Sequence, residues 1–244
     1  MTSDSICVPQ TSVATDAAMS ISASQRLTED GFAIVAPVIS PVECREIEEA
    51  LAQKPLDSAG SRNLMDSDWC AALETRIRTS SALDGLLNGS VAVQCTYFDK
   101  SPAVNWLVPL HQDLSIPVRA RVDCASLKVW SIKEGGCFVQ APTDVLERMV
   151  AVRLHLDDNG PDNGPLRVVP GSHRLGRLPS EAQATMRAEL GEVECYAQRG
   201  GVVLMKPLLL HASSKATGPG SRRVLHYLYG PAALPFGLEW AHAV

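Results

Sequence analysis

The chain has 244 residues, 45% of them hydrophobic, and a formal net charge of −5 at pH 7. This length and hydrophobic content suffice to bury a full core in one domain. The acidic balance disfavours nucleic acid and anionic membranes as partners, because both attract proteins through positive surface fields.

The first twenty residues are rich in Ser, Thr, Ala and Asp, and they lack the basic start and apolar stretch of a signal peptide. We therefore expect a disordered tail over 1–20 and a single domain over 21–244. No later window contains the roughly 20 uninterrupted apolar residues of a membrane helix. The seven cysteines are scattered and include no C-x-x-C pair, which is typical of reduced thiols in the cytoplasm.

The N-terminal third is predicted to be mainly helical after one buried strand, which the β-branched run 32–39 indicates. Ser40, followed by a proline and then by Glu43, has the pattern of a capped helix start and predicts a helix over 41–53. Apolar residues at helical spacing over 66–87, interrupted near the middle by two serines, predict two further helices.

From residue 91 onward the sequence consists mainly of short β-prone runs separated by Gly, Pro, Asn and Asp clusters. This punctuation is typical of an antiparallel barrel or sandwich. One more helix is predicted near 180–190, with Ser180 as its cap and Gly191 just after its end. The β-prone runs are VAVQCTYF, MVAVRLHL, LRVVP, VECYA, VVLMK and RVLHYLY.

A candidate metal site begins with His111 and Asp113, which are two residues apart at the end of an apolar run. On an extended strand such residues share a face, so an imidazole and a carboxylate can occupy neighbouring positions of one metal ion. His211 is the candidate third ligand, and a set of three leaves other positions open. A lone H-x-D is weak evidence, because a histidine in a β protein is more often a structural residue.

Arg222 lies eleven residues after His211 and opens the apolar run RRVLHYLY. An inward guanidinium needs an anion, and the distal carboxylate of 2-oxoglutarate can accept two parallel hydrogen bonds from it. Ser213 shares a strand face with His211 and can add a hydroxyl hydrogen bond. In isolation, however, the pair Arg222 and Arg223 is more typical of surface charge on an edge strand.

Taken together, these motifs resemble the phytanoyl-CoA dioxygenase family of Fe(II)- and 2-oxoglutarate-dependent oxygenases, and in particular bacterial members of unassigned substrate. The resemblance begins near residue 30 and includes HQDL at 111–114, DNGPLRVVPGSHRLG at 162–176 and HAS at 211–213. Several motifs in the family's order are far more specific than a metal triad alone.

The resemblance implies a mainly β fold with flanking helices: a double-stranded β-helix, which is a jelly-roll or cupin-like barrel, with iron at its open mouth. It also implies an enzyme that uses Fe(II), 2-oxoglutarate and O₂ to hydroxylate an unactivated C–H bond of a small-molecule metabolite, with release of succinate and CO₂. The implied site residues are His111, Asp113 and His211 for the metal, and Arg222, Ser213, Gln94 and Arg153 for 2-oxoglutarate.

Two other functions remain open at this point. A cupin-like barrel can use a divalent metal as a Lewis acid for hydrolysis or isomerisation, and a barrel without turnover can bind a small molecule. The sequence predicts neither the substrate nor the oligomeric state, and it does not separate hydroxylation from desaturation or rearrangement.

The connection Val118–Pro142 is longer than an ordinary barrel loop and contains Trp130 and Phe138, so we expect a mobile cover over the pocket. Arg119 and Arg121 within it are either solvated loop charges or groups that steer an anionic substrate.

Two histidines outside the candidate triad are also considered. On the strand MVAVRLHL, Arg153 and His155 alternate with apolar residues, which predicts a polar face towards the pocket or towards solvent. His173 is expected to order its turn and not to bind metal.

Overall fold

The computed structural model describes residues 21–53, 60–62 and 64–244. The predicted tail over 1–20 lies outside the described residues. No helix in the described ranges is long and apolar enough to cross a membrane.

The helices are concentrated in the N-terminal part, as predicted, and the clearest of them begins at its predicted residue. The Ser40 hydroxyl accepts a hydrogen bond from the Glu43 amide, and the Glu43 carboxylate accepts one from the Ser40 amide at 2.7 Å. This reciprocal cap explains why the helix begins at Pro41. The helices are α1 Ala23–Glu29, α2 Pro41–Ala52, α3 Asp68–Arg78, α4 Thr143–Glu147 and α5 Ser180–Leu190.

Three predicted elements differ from the structure. The strand predicted over 32–39 ends at Val35. Of the two helices predicted over 66–87, the second is only a 3-10 turn, Ser81–Leu83, in which the spacing of apolar residues reflects burial and not an α-helix. Helix α5 has Pro179 as its N-cap, without a side-chain cap, so the assignment of Ser180 as the cap is wrong.

The strands of the described chain form three sheets in which all pairings are antiparallel. In chain order they are β1 Phe32–Val35, β2 Gly60–Ser61, β3 Ser90–Lys100, β4 Val108–His111, β5 Ser115–Val118, β6 Trp130–Lys133, β7 Gly136–Gln140, β8 Val150–His155, β9 Leu166–Val168, β10 Val193–Cys195, β11 Val202–Met205, β12 His211–Ser213 and β13 Arg222–Pro231. The sheet orders are β1-β11-β8-β13-β3-β2, β10-β9-β12-β4 and β5-β7-β6.

The six-stranded sheet separates two apolar clusters. One lies between this sheet and the N-terminal helices, and it joins residues such as Ile47 and Ile77 to Leu154 and Tyr227. The other lies between the sheets and joins residues of all three, among them Val203, Val168 and Val139. This arrangement of facing antiparallel sheets with helices packed on one of them is the double-stranded β-helix that the family resemblance implies.

Strict alternation along β8 and β13 sorts their side chains between the two faces of the sheet. On β8, Val152 and Leu154 pack towards the helices, whereas Arg153 and His155 are buried on the opposite face. On β13, Arg222 is likewise buried. The polar face of β8 is therefore internal, which decides between the two predicted orientations.

We expect Ser40→Ala to lower the free energy of unfolding by about 1 kcal/mol, because it removes one half of the capping box. Ser180→Ala is the matched control, since Ser180 forms no cap, and it should change stability by less than about 0.5 kcal/mol. Urea denaturation of both variants measures the difference. Equal losses in the two variants would contradict the helix starts described above.

Candidate metal centre

The pairing of two strands brings the predicted ligands together. Strand β12 runs antiparallel to β4, and His211 lies directly opposite His111 in this register. Asp113 follows β4, and its backbone amide donates to the Pro207 carbonyl at 2.9 Å. The chain therefore turns so that one carboxylate faces two imidazoles.

The three side chains form a compact donor group. The Nε2 atom of His111 lies 3.6 Å from Asp113 Oδ1, and Nε2 of His211 lies 3.7 Å from Asp113 Oδ2. One donor atom from each residue can be chosen so that all three lie within 4.8 Å of one another. Among the described residues, this is the group of His, Cys, Asp and Glu side chains that has the geometry to hold a metal ion.

Hydrogen bonds to the backbone orient both imidazoles. His111 Nδ1 lies 2.8 Å from the Pro109 carbonyl oxygen, and His211 Nδ1 lies 2.9 Å from the Leu209 carbonyl oxygen. A carbonyl oxygen only accepts, so Nδ1 carries the proton in each ring and Nε2 presents its lone pair to the centre of the group. This is the second-sphere arrangement of metal-binding histidines, and the donor set fits a divalent metal ion.

Burial and mutual charge set the protonation of the triad. Burial lowers the pKa of His211 to about 4, so this ring is neutral at pH 7. Burial alone would raise the pKa of Asp113, but His211 and His111 lower it overall. The pKa of His111 is lowered by burial but raised overall by the Asp113 carboxylate 3.6 Å away, so a metal ion at this site competes with a proton on His111.

Gln112 fixes the segment between the two ligands His111 and Asp113. Its side-chain amide donates to the Leu208 carbonyl at 2.6 Å and to the Gly176 carbonyl at 2.8 Å, and its carbonyl accepts from the Leu178 amide at 2.8 Å. The buried glutamine thus ties the end of β4 both to the segment that precedes β12 and to the segment that precedes α5.

A cavity of about 430 Å³ opens beside the triad. Arg222 and Ser213 line it, and both donate to the Gly164 carbonyl oxygen, Arg222 at 2.5 Å and Ser213 at 2.9 Å. The neighbouring Arg223 points to the other face and makes two hydrogen bonds with Asp157, at 2.6 and 2.9 Å. The register of β13 therefore places Arg222 inside, and the surface-charge alternative applies to Arg223 alone.

Gln94 and Arg153 also line the cavity. Gln94 donates to Thr96 Oγ1 at 2.7 Å. Arg153 is buried, and one of its terminal nitrogens lies 3.0 Å from His226 Nδ1. The structure thus brings all seven predicted site residues to one cavity.

Lys100 is a polar residue of this region that the sequence interpretation missed. It is fully buried, and its Nζ donates to Ser213 Oγ at 2.9 Å and to the Ser214 carbonyl at 2.6 Å. Burial, together with Arg222 and Arg153, lowers its pKa to about 7. The signal was available, because Lys100 has the same strand parity as Gln94 on β3.

The expected cover is more ordered than a loop. Within Val118–Pro142, strands β6 and β7 form a hairpin that pairs with β5. Phe138 is buried and lines the cavity, whereas Trp130 packs in the core cluster between the sheets. Whether the hairpin moves stays a prediction.

The other candidates on this side of the molecule lie away from the cavity lining. Arg119 pairs with Glu239, and the Arg121 guanidinium lies 5.5 Å from the Trp130 ring centroid. His173 Nε2 lies 3.1 Å from the Thr28 carbonyl oxygen, which agrees with its expected role in ordering a turn.

The fold and the His-Asp-His group define the class: this is a non-haem iron oxygenase that depends on 2-oxoglutarate. The chain belongs to the phytanoyl-CoA dioxygenase family, because the sequence profile described as "Phytanoyl-CoA dioxygenase (PhyH)" matches residues 27–224. No curated protein matches the chain significantly.

Solved structures share the fold at low sequence identity. AviO1 from Streptomyces viridochromogenes Tue57 is 24% identical with a TM-score of 0.60, over 87% of this chain and 95% of that chain. EctD from S. alaskensis, solved with 2-oxoglutarate and 5-hydroxyectoine, is 20% identical with a TM-score of 0.64, over 87% and 77%. HygX from Streptomyces hygroscopicus, solved with nickel and 2-oxoglutarate, is 18% identical with a TM-score of 0.59, over 88% and 87%.

We expect Gln112→Met to lower the free energy of unfolding by about 2 kcal/mol or more, because it leaves buried backbone groups without partners. It should also weaken metal binding, since the segment that carries His111 and Asp113 loses its anchor. Gln183→Met, which removes a single long, part-buried hydrogen bond from α5 to the Leu178 carbonyl, is the control. Denaturation and metal titration on the same samples test both effects, and unchanged stability would contradict the role given to Gln112.

Proposed function

We propose that this enzyme hydroxylates an unactivated C–H bond of a small-molecule metabolite, with His111, Asp113 and His211 as the ligands of Fe(II). The observation that carries the proposal is the joint presence, in one cavity, of three convergent metal donors and a buried arginine. When bound, Fe(II) and 2-oxoglutarate supply the activation of O₂ for C–H oxidation, with succinate and CO₂ as coproducts.

The contribution of the triad is to hold the metal and leave room beside it. The two imidazoles present Nε2 lone pairs and Asp113 supplies a negative charge, a donor set that suits iron in this class. His211 is almost completely buried, whereas the Asp113 side chain is 41% exposed towards the cavity. The open side of the site therefore faces the space in which cosubstrate and substrate must bind.

The distal carboxylate of 2-oxoglutarate is proposed to bind between Arg222 and Ser213. In the described structure both residues donate to one Gly164 carbonyl oxygen, and the buried Nε of Arg222 has no partner. A carboxylate offers several acceptor sites to these donors, and an arginine fork matches its plane. The bound carboxylate would also balance a charge that burial disfavours, since burial lowers the pKa of Arg222 to about 9.

Lys100 is proposed to set the direction of the Ser213 hydroxyl. When protonated, Lys100 only donates hydrogen bonds, so Ser213 Oγ then accepts from Lys100 and points its own proton elsewhere. That proton goes to Gly164 in the described structure. The same constraint makes Ser213 a donor towards an anion.

Arg153 and Gln94 are proposed to contact the cosubstrate nearer the metal. Arg153 interacts electrostatically with Asp113, and its buried Nε has no partner in the described structure. Gln94 lines the same wall from β3.

The two alternatives from the sequence leave these features without a role. A Lewis-acid hydrolase or a non-catalytic barrel does not require a buried arginine whose Nε has no partner, as in Arg222 and Arg153. Succinate formation that depends on added 2-oxoglutarate separates the oxygenase from both.

The free thiols, among them Cys44 and Cys195, support the proposed cytoplasmic location.

We expect His111→Ala, Asp113→Ala and His211→Ala each to abolish turnover without unfolding the protein, because two donors do not retain the metal geometry. His173→Ala serves as the control outside the triad and should keep full metal content. Metal analysis after dialysis, circular dichroism and succinate formation are measured for each variant. If a triad variant stays fully active with metal bound, the replaced residue is not a metal ligand.

We expect Arg222→Lys to raise the Kd for 2-oxoglutarate by about tenfold or more, because a point cation replaces a two-pronged donor. Arg223→Lys should leave this Kd unchanged, since Arg223 bonds to Asp157 on the other face of the sheet. Calorimetric titration of 2-oxoglutarate into the zinc-loaded protein measures both. If Arg223→Lys raises this Kd and Arg222→Lys does not, the assigned register of β13 is contradicted. If neither substitution raises it, the proposed binding of the distal carboxylate by Arg222 is wrong.

A further inference from the structure

The cations that line the cavity fall into two groups on different walls. Arg222 and Arg153 interact with each other on the six-stranded sheet. Lys133 lies on β6 of the three-stranded sheet, and it interacts electrostatically with Arg62 and Asp113. Asp113 interacts electrostatically with Arg153 of an inner positive group and with Lys133 of an outer one. The proposed cosubstrate site uses the inner group and not the outer one.

Lys133 points into the cavity. Its neighbour Ile132 is 70% exposed, so the alternation of β6 turns Lys133 to the opposite face. On that face the ammonium group lies 4.9 Å from the centroid of the Phe138 ring, and both residues line the cavity. Lys133 is half-buried, and this burial, followed by Arg62, lowers its pKa.

The described part of the chain gives Lys133 no direct counter-ion, although Asp113 acts on its charge from beyond ion-pair distance. Arg62, the other outer cation, pairs with Glu134 at 2.6 Å at the turn of the hairpin. Lys133 has no carboxylate within 4 Å among the described residues. Asp113, the carboxylate that lines the cavity, is engaged with the two histidines. A partly buried ammonium without a counter-ion is a position at which an anion is stabilised.

The rest of the cavity limits the size and character of the ligand. Its volume of about 430 Å³ is near the lower end of the roughly 300–1,000 Å³ that ligand pockets span, and it must hold 2-oxoglutarate as well. Apart from Phe138, apolar side chains that line the cavity include Leu114, Ile116, Leu146 and Met149. The remaining space suits a short, mostly apolar molecule with one charged end.

We propose that Lys133 is a specificity-determining residue that binds an anionic group of the substrate, so that the substrate is a small molecule with a carboxylate or phosphate at one end and an apolar body near the metal. This inference rests on the proposed function. It assigns the inner cations to the cosubstrate and the outer cation to the substrate.

The test uses zinc-loaded protein saturated with 2-oxoglutarate and a panel of matched probes. Hexanoate and 3-phenylpropanoate are each compared with the primary amide of the same skeleton, and phosphate monoesters of similar length form a second arm. Calorimetry measures each Kd in wild type, Lys133→Met and Lys128→Met. Lys128 lies in the same connection but is exposed and does not line the cavity, so it is the matched control.

In wild type and Lys128→Met, at least one acid should bind about tenfold more tightly than its amide, as expected for a hydrogen bond between charged partners. Lys133→Met should lose this preference while its Kd for 2-oxoglutarate stays within about twofold of wild type. The phosphate arm decides which anion the site prefers.

Three results overturn the inference. The first is that wild type binds no acid more tightly than its amide, or binds no probe at all. The second is that Lys133→Met keeps the preference for the acid, and the third is that Lys133→Met loses as much 2-oxoglutarate affinity as Arg222→Lys does. The proposed function fails separately. If wild type does not bind 2-oxoglutarate at all, the oxygenase assignment is at fault, whereas normal 2-oxoglutarate binding without an acid preference contradicts only the role of Lys133.

Discussion

The antiparallel pairing of β4 with β12 is the constraint on which the site depends. It sets His111 opposite His211, and it is extended beyond the strands by the hydrogen bond from the Asp113 amide to Pro207 and by those of Gln112. A shift of the register by one residue would turn one imidazole to the other face of the sheet. The geometry of the metal site is therefore determined first by the pairing of the backbone strands, which positions the ligand side chains.

The second feature of the structure is a sheet whose helix-facing side is apolar and whose inner side carries cations. Buried charges without counter-ions cost several kcal/mol each, yet Arg153, Arg222 and Lys100 are all buried on the inner side and form no ion pair with a described residue. His155 lies among them with neither ring nitrogen bonded, and burial, with Arg153 and Arg222, lowers its pKa to about 3. Such an interior is explained by anions that enter it, and the proposed ligands are anions at both ends of the cavity.

The sequence predicted the parts that rest on local spacing. The His111 and Asp113 pair was suggested by its spacing on a strand, the full triad and the inward Arg222 by the order of motifs that resembles the family, and the helix start at Ser40 by its capping pattern. The missed parts depend on contacts between distant segments. The α-helical spacing around Leu83 arose from packing in the core, and Ser180 has the composition of a cap but follows a proline that takes the position. The hairpin of β6 and β7 required pairing with β5, which no local pattern reveals.

The central claim is that a metal held by His111, Asp113 and His211 and a 2-oxoglutarate held by Arg222 occupy one cavity. The most direct measurement is an anaerobic crystal structure with Fe(II) and 2-oxoglutarate, with anomalous scattering to locate the iron. The account predicts an iron peak between the two Nε2 atoms and the Asp113 carboxylate, with the distal carboxylate of 2-oxoglutarate against Arg222. Iron bound elsewhere, or a 2-oxoglutarate whose distal carboxylate lies against Lys133, would contradict it.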